Sequence, residues 1–115
     1  MIEVRNAIIK SATIVNNDHG LLSSWLTLDY GGVQQAFGGW SLYFPEPSLA
    51  DQNNTAGIWL WRCLEVAGVT EWSQLPGVAI RARCDDDEVY AIGHIIKDIW
   101  FELRVEFLAL EKSKT

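Results

Sequence analysis

Apolar and polar positions divide the chain into three stretches. From Ile2 to Phe44 the pattern is extended, rich in Ile, Val, Thr, Trp and Phe, and broken by Asn16-Asn17-Asp18-His19-Gly20 and by Gly31-Gly32. Turn residues between such runs predict a meander of three strands, over about 3–15, 21–30 and 33–44. A two-residue hairpin loop at Gly31-Gly32 sets Tyr30 against Val33, Leu28 against Gln35 and Leu26 against Phe37. Leu22, Leu26, Leu28 and Tyr30 then share one face, the expected core face. Pro45-Glu46-Pro47 stops the third strand, because proline has no N–H to give the ladder.

A polar loop over about 45–56 leads to a predicted helix at 57–67, with Thr55 as a fair N-cap and Gly68 as the C-cap glycine. Leu60, Cys63, Leu64 and Ala67 fall on one side of that helix, Arg62 and Glu65 on another. Residues 70–75 form one further turn. Over 78–84 the alternation is clean, with Val78, Ile80, Ala82 and Cys84 on one face and Arg81 and Arg83 on the other. Asp85 to Glu88 reads as a turn and 89–97 as the returning strand. The segment from Phe101 to Phe107 alternates as a half-buried strand does, whereas a helix there would carry two apolar stripes separated by charges, so a strand is expected. Residues 108–115 are expected to fray. The predicted fold is α+β in a single domain over 1–115: an antiparallel, twisted sheet of five or six strands, barrel-like in one variant, with one main helix.

Composition narrows the function. The 115 residues are 49% apolar and 21% charged, an ordinary globular balance. Area scaling has about two thirds of the extended chain's surface buried on folding, enough for a core without staples. Nine Lys/Arg against fifteen Asp/Glu give a net charge of −6, which speaks against generic nucleic-acid binding. No apolar run approaches a membrane span, and Glu3 and Arg5 stand where a signal peptide would be apolar, so a cytoplasmic protein is expected. Cys63 and Cys84 match no metal or redox spacing.

Gly38-Gly39 interrupts a strand beside Phe37 and Trp40. A ligand could approach the bare backbone there, or the hairpin register could lay Trp25 across Gly38, with Trp40 diagonal to it. Aromatics also fall on both faces of this hairpin, Phe37 and Tyr43 on one, Trp25 and Trp40 on the other. The second face needs a cover. A second copy of the chain is the simplest one, which makes a homo-oligomer the expectation; the helix at Trp59-Leu60-Trp61 is the alternative.

The second hairpin is more specific. A four-residue turn at Asp85 to Glu88 sets Arg83 opposite Tyr90, Arg81 opposite Ile92 and Ala79 opposite His94. Arg81, Arg83, Tyr90 and His94 then share one side, with Lys97 near its end. Guanidinium forks match phosphate or carboxylate bidentately, so this side reads either as an anion site or as a solvated face answered by nearby carboxylates. Asp18-His19 and the pair His94 and Asp98 each place an imidazole near a carboxylate, though proximity in sequence is not geometry. No nucleophile motif, phosphate-binding glycine loop or metal spacing is present, which favours a protein that is not an enzyme and carries no cofactor.

Four segments in order resemble a known group: Asp18-His19-Gly20; Gln35-Ala36-Phe37-Gly38-Gly39; Val66-Ala67-Gly68-Val69 with Trp72 and Leu75-Pro76-Gly77; and Ile92-Gly93-His94-Ile95-Ile96-Lys97-Asp98 with Trp100-Phe101. Together they are similar to a family of small, largely uncharacterised bacteriophage and prophage accessory proteins, over most of 2–101. The resemblance implies a protein acting in a bacterial host, as such proteins often antagonise host defence. The leading expectation is a non-catalytic protein that sequesters an anionic, nucleotide-like ligand. Arg81, Arg83 and His94 would hold the charge, Phe37, Trp40 or Trp100 would stack on a base, and Gln35 or Asp98 would meet ribose hydroxyls. The alternatives are an inhibitor that grips a host defence protein through an acidic face at Asp85, Asp86, Asp87 and Glu88, and a small hydrolase using His19 or His94.

Overall fold

The computed structural model describes residues 2–16, 22–39, 42 and 55–106. Six strands, all paired antiparallel, and one main helix make up these residues, an α+β fold: β1 (Glu3–Asn16), β2 (Leu22–Asp29), β3 (Gln34–Gly38), α1 (Thr55–Ala67), β4 (Ala79–Cys84), β5 (Val89–His94) and β6 (Trp100–Phe101). The sheet order is β3-β2-β1-β4-β5-β6. A short 3₁₀ turn over Trp72–Gln74 follows the helix, as the sequence predicts.

The first hairpin has the expected register. Tyr30 N–H donates to the Val33 carbonyl at 2.9 Å, and Leu28 pairs with Gln35, Leu26 with Phe37 and Trp25 with Gly38. Gly31 and Gly32 both have positive φ, the conformation that a tight two-residue loop requires and glycine adopts freely. The break at Gly38-Gly39 is a packing device, but the indole of Trp25 lies across Gly39 and not Gly38. A Cβ on Gly39 would stand 2.1 Å from the Trp25 ring, while one on Gly38 would meet the Ser24 carbonyl and Trp59. The φ of Gly38 is +119°, which turns the chain so that Gly39 N–H reaches the Ser24 carbonyl at 2.8 Å.

β1 joins two hairpins. Its first half, Glu3 to Ile8, pairs with β4, and its second half, Ile8 to Asn16, pairs with β2, with a bulge between Ile9 and Ser11. The bulge bends the strand, and the sheet curls until β3 packs against β5. The curl does not close into a barrel: β3 and β6 are the outer strands of the order, and the helix fills the mouth between them. Phe37 of β3 and Phe101 of β6 meet edge to face at 5.8 Å, and Trp59 of α1 stacks on Phe37 at 5.6 Å. Leu26, Leu28, Ile80, Ala82 and Ile92 complete this core, each almost without exposure. The helix therefore covers the Phe37 face; Trp25, on the opposite face, stays 40% exposed.

The tail departs from expectation. β6 ends at Phe101 and residues 103–106 form a helical turn, not a continuing strand. Arg62 explains the difference. Its guanidinium donates to Glu65, to the Trp100 carbonyl and to both carboxylate oxygens of Glu106, at 3.1 and 3.2 Å for the latter. A strand advances about 3.3 Å per residue and would carry Glu106 away, whereas a helical turn at about 1.5 Å per residue returns it to Arg62. Among the described residues no helix is long and apolar enough to cross a membrane. The expected turn at 17–20, the strand end at 43–44, the loop over 45–54 and the tail at 108–115 lie outside the described residues.

Candidate functional site

The outer face of β4, β5 and β6 carries the site, and a bulge decides which side chains reach it. At the hairpin tip the Asp85 carboxylate accepts the N–H groups of Asp87 and Glu88 at 2.8 and 3.0 Å, and the Tyr90 hydroxyl donates to its other oxygen at 2.5 Å. These bonds hold Asp85 below the usual carboxylate range, the Tyr90 hydroxyl contributing most and the two backbone N–H groups next. The same hydrogen bond to Asp85, with lesser help from burial and neighbouring charge, pushes the Tyr90 phenol up to about 12.

Holding the tip in this way makes β5 one residue longer than β4 requires. Cys84 pairs with Val89 but Arg83 pairs with Ala91, so Tyr90 is the extra residue. Beyond it the expected register is displaced by one: Arg81 pairs with Gly93 and Ile80 with His94. A one-residue slip exchanges the two faces of a strand. His94 therefore lies with Ile80 on the helix side, its ring 3.4 Å from where a Cβ on Gly68 would stand. Its Nδ1 accepts the N–H groups of Ile96 and Lys97 at 3.1 and 3.0 Å, which makes the imidazole a brace for the turn at 95–98. The expected union of His94 with Arg81 and Arg83 does not occur.

Trp100 takes the place intended for His94. β6 sets Trp100 opposite Gly93, and the indole lies across that glycine, where a Cβ would come within 2.6 Å of the ring. From there it reaches the two outward arginines of β4. Arg83 stands 4.1 Å and Arg81 4.8 Å from the ring centre, both within cation–π range. Arg81 is oriented by the carbonyls of His94 and Lys97, each at 2.7 Å, and Arg83 by Glu102 at 2.5 Å. A guanidinium has five N–H groups, so these contacts leave donors on both arginines.

Beside this cluster lies a recess of about 350 Å³, lined by Ile2, Arg83, Tyr90, Ala91, Glu102, Arg104 and Val105. Arg104 pairs with Glu88 at its rim at 3.0 Å. Its volume sits at the small end of ligand pockets, which run from about 300 to 1,000 Å³.

The remaining expected residues are elsewhere. Phe37 is 2% exposed and is a core ring stacked on Trp59, so it cannot stack on a ligand. Gln35 donates to the carbonyls of Asp86 and Asp85 at 3.0 and 3.4 Å and accepts from the Tyr30 hydroxyl at 2.5 Å, away from the arginines. Asp98 is exposed in the turn at 95–98. Trp40 and His19 lie outside the described residues. Sequence reasoning missed Arg104, Val105 and Ile2, because a tail read as a strand hides the turn that brings Arg104 and Val105 over β5. It also missed Arg62, whose bond to the Trp100 carbonyl helps place the indole, because the helix pattern set Arg62 with Glu65 on a side apart from Leu60, Cys63 and Leu64.

Compared with known proteins, the chain matches no family model, no curated protein and no solved structure.

Proposed function

We propose that the protein is a non-catalytic binding protein that captures a small anionic ligand bearing a planar ring, a nucleotide or a close analogue, on the outer face of β4–β6. One observation carries this reading: two guanidinium groups flank a single indole on a sheet face the helix does not cover, next to a recess of ligand size. The indole and Tyr90 supply ring surfaces, and Arg83 and Arg104 supply charge at the recess rim. Arg83 with Glu102 is about a third to two fifths exposed, so a ligand anion can displace that carboxylate at small cost. The resemblance to phage and prophage accessory proteins supplies the biological setting, sequestration of a host-defence signal in a bacterial cytoplasm.

The acidic face offers less for the inhibitor reading. Asp85 is spent inside the tip and Glu88 is paired with Arg104, which leaves Asp86 and Asp87 outward. A hydrolase reading through His94 would need that imidazole on the ligand face, and His94 is on the other.

A thermal-shift panel of cyclic and ADP-ribose-type nucleotides, followed by calorimetry on any hit, tests the proposal. Binding at about 100 μM or tighter, weakened tenfold or more in Arg83→Ala, is the expected result. Absence of binding across the panel, or affinity unchanged in that variant, overturns it.

A further inference from the structure

The bend in β1 leaves a strand edge that nothing in the described chain pairs. β4 accompanies β1 from Glu3 to Ile8, and Ile9 exchanges its two hydrogen bonds with Val78 and Gly77. Past the bulge, β1 is paired only on its β2 side. The alternation of the ladder says which groups face the open side. Leu22 and Ser24 give their carbonyls to Leu42 and Gly39 on the β3 side, so Ser23 and Trp25 point toward β1. Their partners Val15 and Thr13 point back toward β2, and Ala12, Ile14 and Asn16 turn their N–H and C=O groups outward.

Edges of this kind are normally protected by charge, proline, a bulge or brevity. The bulge and the charge of Lys10 lie only at the start of this one: from Ser11 to Asn16 the segment is uncharged, free of Pro and Gly, and regular. It also presents Ile14 and Val15 at 47% and 45% exposure, with Trp25 beside Thr13 at 40%.

We infer that this edge pairs with the same edge of a second copy, antiparallel about a two-fold axis through Ile14. The segment is complementary to itself in that register. Each Ile14 donates to and accepts from its counterpart, Ala12 exchanges the same bonds with Asn16, and Thr13 meets Val15 across the axis. Each copy carries a net charge of −6, so a partner surface without charge is the one that two copies can share. The two sheets become one continuous sheet, and Ile14 of each copy covers the other. This inference is independent of the ligand site.

Light scattering at tens of micromolar reads the mass, and Ile14→Pro is the decisive variant, because proline removes an outward N–H and leaves the β2 ladder its donors. The expected result is twice 13.0 kDa for the natural chain and 13.0 kDa for the variant with its circular dichroism unchanged. Should Ile14→Pro fail to fold, Ile14→Lys replaces it with the same expectation. Ile14→Cys adds a register test: hydrogen-bonded antiparallel partners sit about 5.5 Å apart at Cα, within disulfide reach, so mild oxidation yields a covalent dimer. Cys63 and Cys84 are buried and do not compete. A monomeric natural chain, a dimer that persists in Ile14→Pro and Ile14→Lys, or a dimer that Ile14→Cys does not cross-link overturns the inference.

Discussion

Gly93 matters for the side chain it lacks. Trp100 lies where a Cβ would stand, and the indole reaches Arg81 and Arg83 only because that space is empty. In Gly93→Ala the ring must lift off β5, at a cost of about 1–3 kcal/mol typical of overpacking. Chemical denaturation reads the loss of stability, and a reduced near-ultraviolet circular dichroism signal reports the freed indole. Tyr90 and Asp85 make a second prediction. Asp85 is held low in the fold, so its contribution is present above the ordinary carboxylate value near 4 and is lost as pH falls through the lower folded value. Tyr90 is raised to about 12, so its contribution is present below pH ~10 and is lost as pH rises through 12. Tyr90→Phe should flatten both limbs of the urea midpoint against pH. Limbs unchanged in the variant would show that the tip bond does not contribute.

Elements show where local pattern suffices and where it does not. The first hairpin was legible from Gly31-Gly32 and the flanking alternation, since a two-residue loop leaves one register. The second was legible as two strands and a turn, but its register was not. The tip keeps its four residues, and the slip comes one step later, at the bulged Tyr90, whose hydroxyl the Asp85 carboxylate captures, a competition invisible to periodicity. That single residue separates His94 from the arginines. Arg81 and Arg83 were legible because alternation against Ile80 and Ala82 places them outward whatever the turn. The 103–106 turn was lost because its cause lies on α1, some forty positions earlier. Arg62→Met tests that cause. The guanidinium is largely buried against carboxylates about a third exposed, so its removal should cost about 1–3 kcal/mol. Exchange of the Glu106 amide, bonded to the Glu102 carbonyl at 3.0 Å, should rise more than exchange in β4.

At the scale of the whole molecule, one long strand shared by two hairpins lets the sheet curl around Trp59 and still leave its outer surface open. An acidic chain concentrates Arg81, Arg83 and Arg104 on that surface, around Trp100 and the recess beside it. The curl explains why the aromatics divide as they do: Phe37, Trp59 and Phe101 close the interior, while Trp25 and Trp100 face outward. Trp100 is therefore the most direct reporter of capture. Its indole N–H resonance, assigned by its absence in Trp100→Phe, can be followed together with the side-chain Nε–H signals of Arg81 and Arg83 as a nucleotide from the panel is added. Capture on this face gives saturable shifts at those three groups and at Tyr90. Saturable shifts that spare Trp100, Arg81 and Arg83, or no saturable shifts at all, would contradict it.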